Sequence, residues 1–184
     1  MTTKTQTNGI DVSALRDTIE QVTANPAAGQ THWAVRSEWK GGTRTDHTID
    51  GAAIGGERIA RGFQVKIDEP LELCGTNEYA NPQEYLMSAI NACMMVGYSA
   101  VAALMDIELT RLEVELEGDI DLRGFLAIDP SVSNGYDSLR QTVRIAGNGT
   151  PEQMRELHEA VQATSPNYFN ITQAIPMNSE LVVE

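Results

Sequence analysis

Cysteine occurs only twice in this chain, at Cys74 and Cys93. Two thiols cannot make a disulfide framework, and a reducing cytoplasmic compartment is the default expectation. Basic residues are also in deficit, with 13 Lys and Arg against 26 Asp and Glu and a net charge of -13. That sign repels phosphate backbones and anionic lipid, so neither nucleic acid nor a membrane surface is an expected partner. The opening MTTKTQTNGID has no apolar segment, and no secretion signal is expected there. There is no CxxC or HxxxH spacing, and His32, His47 and His158 do not nominate a metal site. Neither a metal nor another cofactor is expected.

One long stretch also lacks charge altogether. Tyr85 to Met105 runs for 21 residues without an ionisable acid or base other than tyrosine and Cys93. The length suits a membrane span, but Ser88, Asn91 and Ser99, the alanine-rich composition and the absence of Lys or Arg at either end argue against one. From Pro82 to Met105 apolar residues go all the way round a helical projection, so such a helix must be buried on most sides. It would be about 36 Å long, more than a chain of 184 residues readily wraps alone. A second copy is the simplest cover, and a homodimer with this helix near the two-fold axis is expected.

The remaining segments read as a mixed fold. DVSALRDTIEQVTANP offers Asp11 as an N-cap, then Val12, Leu15, Ile19 and Val22 at helical spacing, closed by Asn25-Pro26. THWAVRSEWK alternates as a strand, and Gly41-Gly42 predicts a two-residue hairpin turn into TRTDHTID. That turn would set Trp39 opposite Arg44 on one face of the ribbon, turning Arg44 toward the apolar side. GFQVKID gives another strand, ended by Pro70, and after the loop ELCGTNEYA a helix opens at Asn81 with Pro82 in its first turn.

LEVELEGDIDL alternates between an apolar face and an acidic one. SLRQTVRIAG then supplies Arg140 and Arg144, which an antiparallel pairing would lay beside the acidic row; a solvated charge ladder is the alternative. Thr150-Pro151-Glu152-Gln153 is a capping box opening a helix to about residue 163, and Ser165-Pro166 repeats the signal for a short turn through Phe169. IPMNSELVVE reads as a final strand. Strands grouped before and after helices indicate an α+β fold with antiparallel sheets around a long central helix. The expected organisation is an N-terminal extension over residues 1–30, carrying the amphipathic helix, and one domain over 31–184.

The order of elements, with GGTR at a hairpin, a long helix opening NPQEYLMSAINAC, the strand EVELEGDIDLRG and a capped helix leading to TSPN, resembles the OsmC/Ohr family over roughly Thr31 to Glu184. The resemblance implies an intertwined α+β homodimer whose best-understood members reduce organic hydroperoxides with a cysteine pair. Carried over by position, Cys93 is similar to the peroxidatic thiol and Arg44 to the arginine that activates it. Two positions depart from the pattern. Ser165 stands where the resolving cysteine is expected, and Gln83, one residue before Glu84, stands where a glutamate should pair with the arginine.

Glutamine carries no charge and cannot hold Arg44 as an ion pair. Glu84, nine residues before Cys93, projects about 180° away from it on a straight helix, whereas Gln83 is about 80° off its direction. Cys74 is not excluded by reach as a replacement thiol, since eight extended steps to Pro82 span roughly 26 Å against about 17 Å along the helix from Pro82 to Cys93. For Cys93 the alternative to chemistry is core packing, because free cysteine behaves as a small apolar group and is inert unless a cation is near. Arg44 can instead pair with Asp46 on its own face, and Ser165 and Asn167 can be cap and turn residues rather than pocket lining.

Two functions therefore stand at this stage. One is a thiol protein that reduces organic hydroperoxides through a single cysteine, Cys93, with Arg44 favouring the thiolate and an external thiol as reductant. Gln83, Glu84, Ser165 and Asn167 would then surround the substrate. The other is a dimer of the same fold that binds a small apolar or thiol-containing ligand without turning it over.

Overall fold

The computed structural model describes residues 6–183. Residues 1–5 of the expected extension and Glu184 of the expected last strand lie outside the described residues. The backbone groups into two compact units, one of residues 11–88 and the other of residues 6–10 and 89–183.

The first unit begins with helix α1, Val12–Ala24, after the two-residue strands β1, Gln6–Thr7, and β2, Ile10–Asp11. The Asp11 carboxylate accepts from the Ala14 amide at 3.1 Å, the N-cap read from the sequence. Its apolar stripe is only partly covered: Val12 is buried, while Ile19 stays 46% exposed. The sheet that follows is antiparallel. Strands β3, Thr31–Trp33, and β4, Arg36–Trp39, lie one after the other along one edge of β5, Thr45–Ile54, and β6, Glu57–Ile67, pairs with the other edge. Gly55 and Gly56, at φ +59° and +86°, make the tight β5–β6 turn, a conformation a side chain at either position would strain.

The β4–β5 turn corrects one expectation. Trp39 pairs with Thr45, not Arg44, because the loop is three residues, Gly41-Gly42-Thr43, closed by the Lys40 amide donating to the Arg44 carbonyl at 2.9 Å. A slip of one residue reverses which face each side chain takes. Arg44 therefore lies on the face opposite Trp39, together with Asp46, and Trp39 is 70% exposed.

Helix α2, Pro82–Leu104, starts in the first unit and continues into the second. Its opening is a reciprocal cap: the Asn81 amide donates to Glu84 Oε2 at 2.7 Å, and the Glu84 amide donates to Asn81 Oδ1 at 2.9 Å. In the second unit α2 is the core helix. Ile90, Met94, Tyr98 and Ala102, four residues apart, are buried, and Met94, Tyr98 and Ala102 form one cluster with Ile107, Leu157 and Val161. Burial on all sides does not occur within one chain. Leu86 is 40% exposed and Val96 66%.

Strands β7, Leu109–Gly118, and β8, Leu139–Gly147, pair antiparallel, with the short helix α3, Leu122–Phe125, in the connection between them. Leu112, Val143 and Ile145 turn inward against the α2 cluster. The alternation holds to Gly118, but Leu122 belongs to α3, where Asp121 caps the helix by accepting from the Arg123 amide. On the outer face Arg144 meets Glu115 at 2.8 Å and Arg140 meets Glu117 and Asp119 at 2.9 and 3.0 Å. The arginines are beside the acidic row, and the pairs are exposed, where each contributes little.

Helix α4, Pro151–Thr164, carries the capping box of Thr150 and Gln153 and packs on α2. A Cβ at Gly97 would lie 3.2 Å from Val161 Cγ1, a tight contact that a small shift of the valine would have to relieve. Ser165 then caps α5, Pro166–Thr172, which runs three residues beyond the expected turn. The expected final strand is not formed. Residues 173–183 have no regular structure, and Met177 and Val183 are 88% and 83% exposed. Strand pairing needs a partner edge, and among the described residues none pairs with this segment. The architecture is α+β with antiparallel sheets and one long helix, as the sequence indicates.

Candidate functional site

In the second unit, α2 and the α4–α5 junction build a site around sulfur. Cys93 is half-buried and a free thiol. Ser165, only 5% exposed, donates its hydroxyl hydrogen to Cys93 Sγ at 3.4 Å and accepts from the Tyr168 amide at 3.3 Å. Its cap role and its contact with the thiol are therefore one arrangement, with the cap fixing the hydroxyl's direction. Asn167 donates to the Ala89 carbonyl at 2.9 Å, one turn before Cys93, which ties the start of α5 to the same stretch of α2. Three side chains singled out in the sequence, Cys93, Ser165 and Asn167, thus meet on one helix junction.

In the first unit, Arg44 sits at the end of the β4–β5 turn. Its Nε donates to Asp46 Oδ1 at 3.1 Å, its Nη1 is 3.6 Å from Glu78 Oε2, and its guanidinium lies 4.4 Å from the centre of the Tyr79 ring. Partial desolvation pulls its pKa down. The Asp46 hydrogen bond and the charges of Tyr79, Asp46 and Glu78 outweigh that and raise it. Arg44 is a permanent cation in a ring of acceptors. Pairing with Asp46 is the alternative read from the sequence; Glu78 and Tyr79 were not singled out there, because a loop rich in polar residues carries no periodicity to show which side chains turn inward.

The loop itself is anchored by Asp68. This carboxylate is wholly inaccessible to solvent and accepts from Thr43 Oγ1 at 2.6 Å, the Thr76 amide at 2.8 Å and Thr76 Oγ1 at 2.5 Å. The hydrogen bonds from Thr43 and Thr76 hold it far below the usual carboxylate range, against the desolvation that opposes them. Because Thr43 precedes Arg44 and Thr76 precedes Glu78, Asp68 fixes both ends of the Arg44–Glu78 contact. Gln83 is exposed on the first turn of α2, and the Glu84 carboxylate is engaged in the helix cap. Cys74 is exposed and free, in a left-handed backbone conformation at φ 64°.

A family model described as OsmC-like protein matches residues 75–180, more than half of the chain. The chain belongs to the OsmC-like protein family. Among solved structures, an OsmC-like protein from Mycoplasma pneumoniae is similar at 14% identity and a TM-score of 0.59, over 76% of this chain and 86% of that one. An OsmC-like protein of unknown function from Vibrio cholerae is similar at 13% identity and a TM-score of 0.55, over 76% of this chain and 92% of that one. At such identities the likeness concerns the fold. A stretch of 107 residues is 31% identical to the chaperone protein HtpG of Streptomyces coelicolor, covering 55% of this chain. The chain spans 17% of the length of that curated relative.

Proposed function

We propose that this OsmC-like protein is a cytoplasmic, homodimeric thiol protein that reduces organic hydroperoxides through Cys93 alone. The observation that carries the reading is the 3.4 Å approach of Ser165 Oγ to Cys93 Sγ. A hydroxyl occupies the position that the family resemblance gives to the second thiol, at hydrogen-bonding distance from the first.

In this reading the Cys93 thiolate attacks the outer peroxide oxygen. The O–O bond breaks, the alcohol leaves with a proton, and sulfur is oxidised to the sulfenic acid. Serine cannot condense with it. An external thiol therefore attacks the sulfenic sulfur and releases water, and a second thiol equivalent displaces the mixed disulfide, returning Cys93 as thiolate. Arg44 favours the thiolate, with Glu78 taking the counter-charge role that Gln83 cannot fill. The half-exposed α2 supports the dimer, whose second copy would cover Val96 and Leu86.

With a dithiol supplied, the protein should consume cumene hydroperoxide, and Cys93→Ser should not. Arg44→Ala should slow consumption by about tenfold or more, the size of effect expected when a thiolate loses a stabilising cation. Equal rates for wild type and Cys93→Ser would dispose of the proposal.

The binding reading keeps one specific support, that Asp46, Glu78 and Tyr79 already occupy the Arg44 guanidinium. Alkylation separates the two. Modification of Cys93 well below the ~8.5 at which an ordinary thiol ionises favours the enzyme, and an inert Cys93 favours the binder.

A further inference from the structure

Within the second unit, the α2 core contains a polar pair that the thiol chemistry does not use. Tyr98 is fully buried among Met94, Ala102, Leu157 and Val161, and its hydroxyl is hydrogen-bonded to His158 Nδ1, the two rings lying nearly parallel at 17°. Burial pushes the Tyr98 phenol up to about 12, so it keeps its proton. That bond engages Nδ1 of His158 and leaves Nε2 as the second polar atom of the ring. The imidazole is thus held in place by a residue of the core.

His158 lines a pocket of about 490 Å³ that neither Cys93 nor Ser165 enters. The volume is in the range of small-molecule sites. Ile90, Leu116 and Leu139 give it apolar walls, and Tyr136 and Tyr168 add aromatic ones. Asp137, exposed, is the one carboxylate among the described residues of the lining, and no lysine or arginine joins it there. An anion in this pocket would lie beside that carboxylate in a protein of net charge -13. A cation meets attraction from the carboxylate and from the tyrosine rings.

We propose that this pocket binds a small organic amine, protonated at neutral pH, with an aromatic body. The ammonium pairs with Asp137, the body lies among Ile90, Leu116 and the tyrosines, and His158 hydrogen-bonds to a hydroxyl that the body carries. The site does not depend on the peroxide chemistry at Cys93.

Three probes with one body and different heads test this by calorimetry on the full chain: tyramine, the corresponding alcohol tyrosol, and 4-hydroxyphenylpropionate. Tyramine should bind and shift the His158 ring resonances, tyrosol should bind at least about threefold more weakly, and the carboxylate should not bind. Asp137→Asn, a change at an exposed position, should weaken tyramine by about three- to tenfold and leave tyrosol unchanged. Absence of tyramine binding, equal binding of the carboxylate, or an Asp137→Asn protein with unaltered tyramine affinity would each overturn the proposal.

Discussion

Ser165 points its hydroxyl at Cys93 Sγ from 3.4 Å, held there by its own cap on α5. Cap geometry thus decides which atom faces the thiol, and a thiol side chain at this position would present sulfur in the same direction. Ser165→Cys should convert the chain to a protein with a resolving thiol beside Cys93. After limiting hydroperoxide, mass spectrometry should find a disulfide between Cys93 and the introduced thiol, where the unaltered chain gains an oxygen at Cys93. A Ser165→Cys protein that accumulates sulfenic acid with no bridge would show that the two side chains are not mutually accessible.

Asp68 makes acid stability a local matter. Its folded pKa is depressed by Thr43 and Thr76, so its contribution is fully present above the ordinary aspartate value and is lost as pH falls through that value toward the folded one. Thermal melts from about pH 5 down to about pH 2 should show a falling midpoint, because the unfolded chain takes up a proton there that the folded carboxylate does not. Asp68→Asn should be less stable at neutral pH, because one amide oxygen cannot accept from both threonines, and its midpoint should fall less steeply with acid. A parallel acid slope in the two proteins would remove Asp68 from this role.

Helix ends were the most legible part of the sequence. Asp11, Asn81-Pro82, Thr150-Pro151-Gln153 and Ser165-Pro166 each combine a side-chain acceptor with a residue suited to the first turn, and each cap forms as read. The β7–β8 alternation was equally direct, since one face meets the core and the other meets water. The β4–β5 loop length was not legible: Gly41-Gly42 suits a two-residue turn, and only the full ladder selects the three-residue one that turns Arg44 to the other face. Nor does residue type alone show that Asp68 is buried, because its partners, Thr43 and Thr76, are distant in sequence. Cys93, Ser165 and Asn167 were nominated through the family resemblance, while Glu78, Tyr79 and the Tyr98–His158 pair needed coordinates.

Gly97 of α2 faces Val161 of α4. A Cβ there would sit 3.2 Å from Val161 Cγ1, tight but open to a small adjustment, whereas a branched side chain has no such room beside a fully buried valine. Gly97→Leu should lower stability by about 1–3 kcal/mol in urea unfolding, through overpacking that outweighs the gain in helix propensity. Adding Val161→Ala should cost less in the Gly97→Leu background than in the unaltered chain, because the shorter residue vacates the contested space. Additive costs would mean that the added bulk is accommodated elsewhere.

The open side of α2 carries the oligomer proposal. Val96 is two-thirds exposed in the middle of a helix that has no charged residue from Tyr85 onward, while Met94 and Tyr98 on its other side are wholly buried. An apolar helix with one face in the core and the other in water is what a two-fold partner would cover. Light scattering after gel filtration should give twice the chain mass for the unaltered protein. Val96→Asp should give a single chain mass, because covering that face would then desolvate a carboxylate without a partner. Val96→Ala removes apolar area but buries no charge, and it should remain dimeric. A monomeric unaltered protein, or a Val96→Asp dimer as stable as the original, would move the interface away from α2.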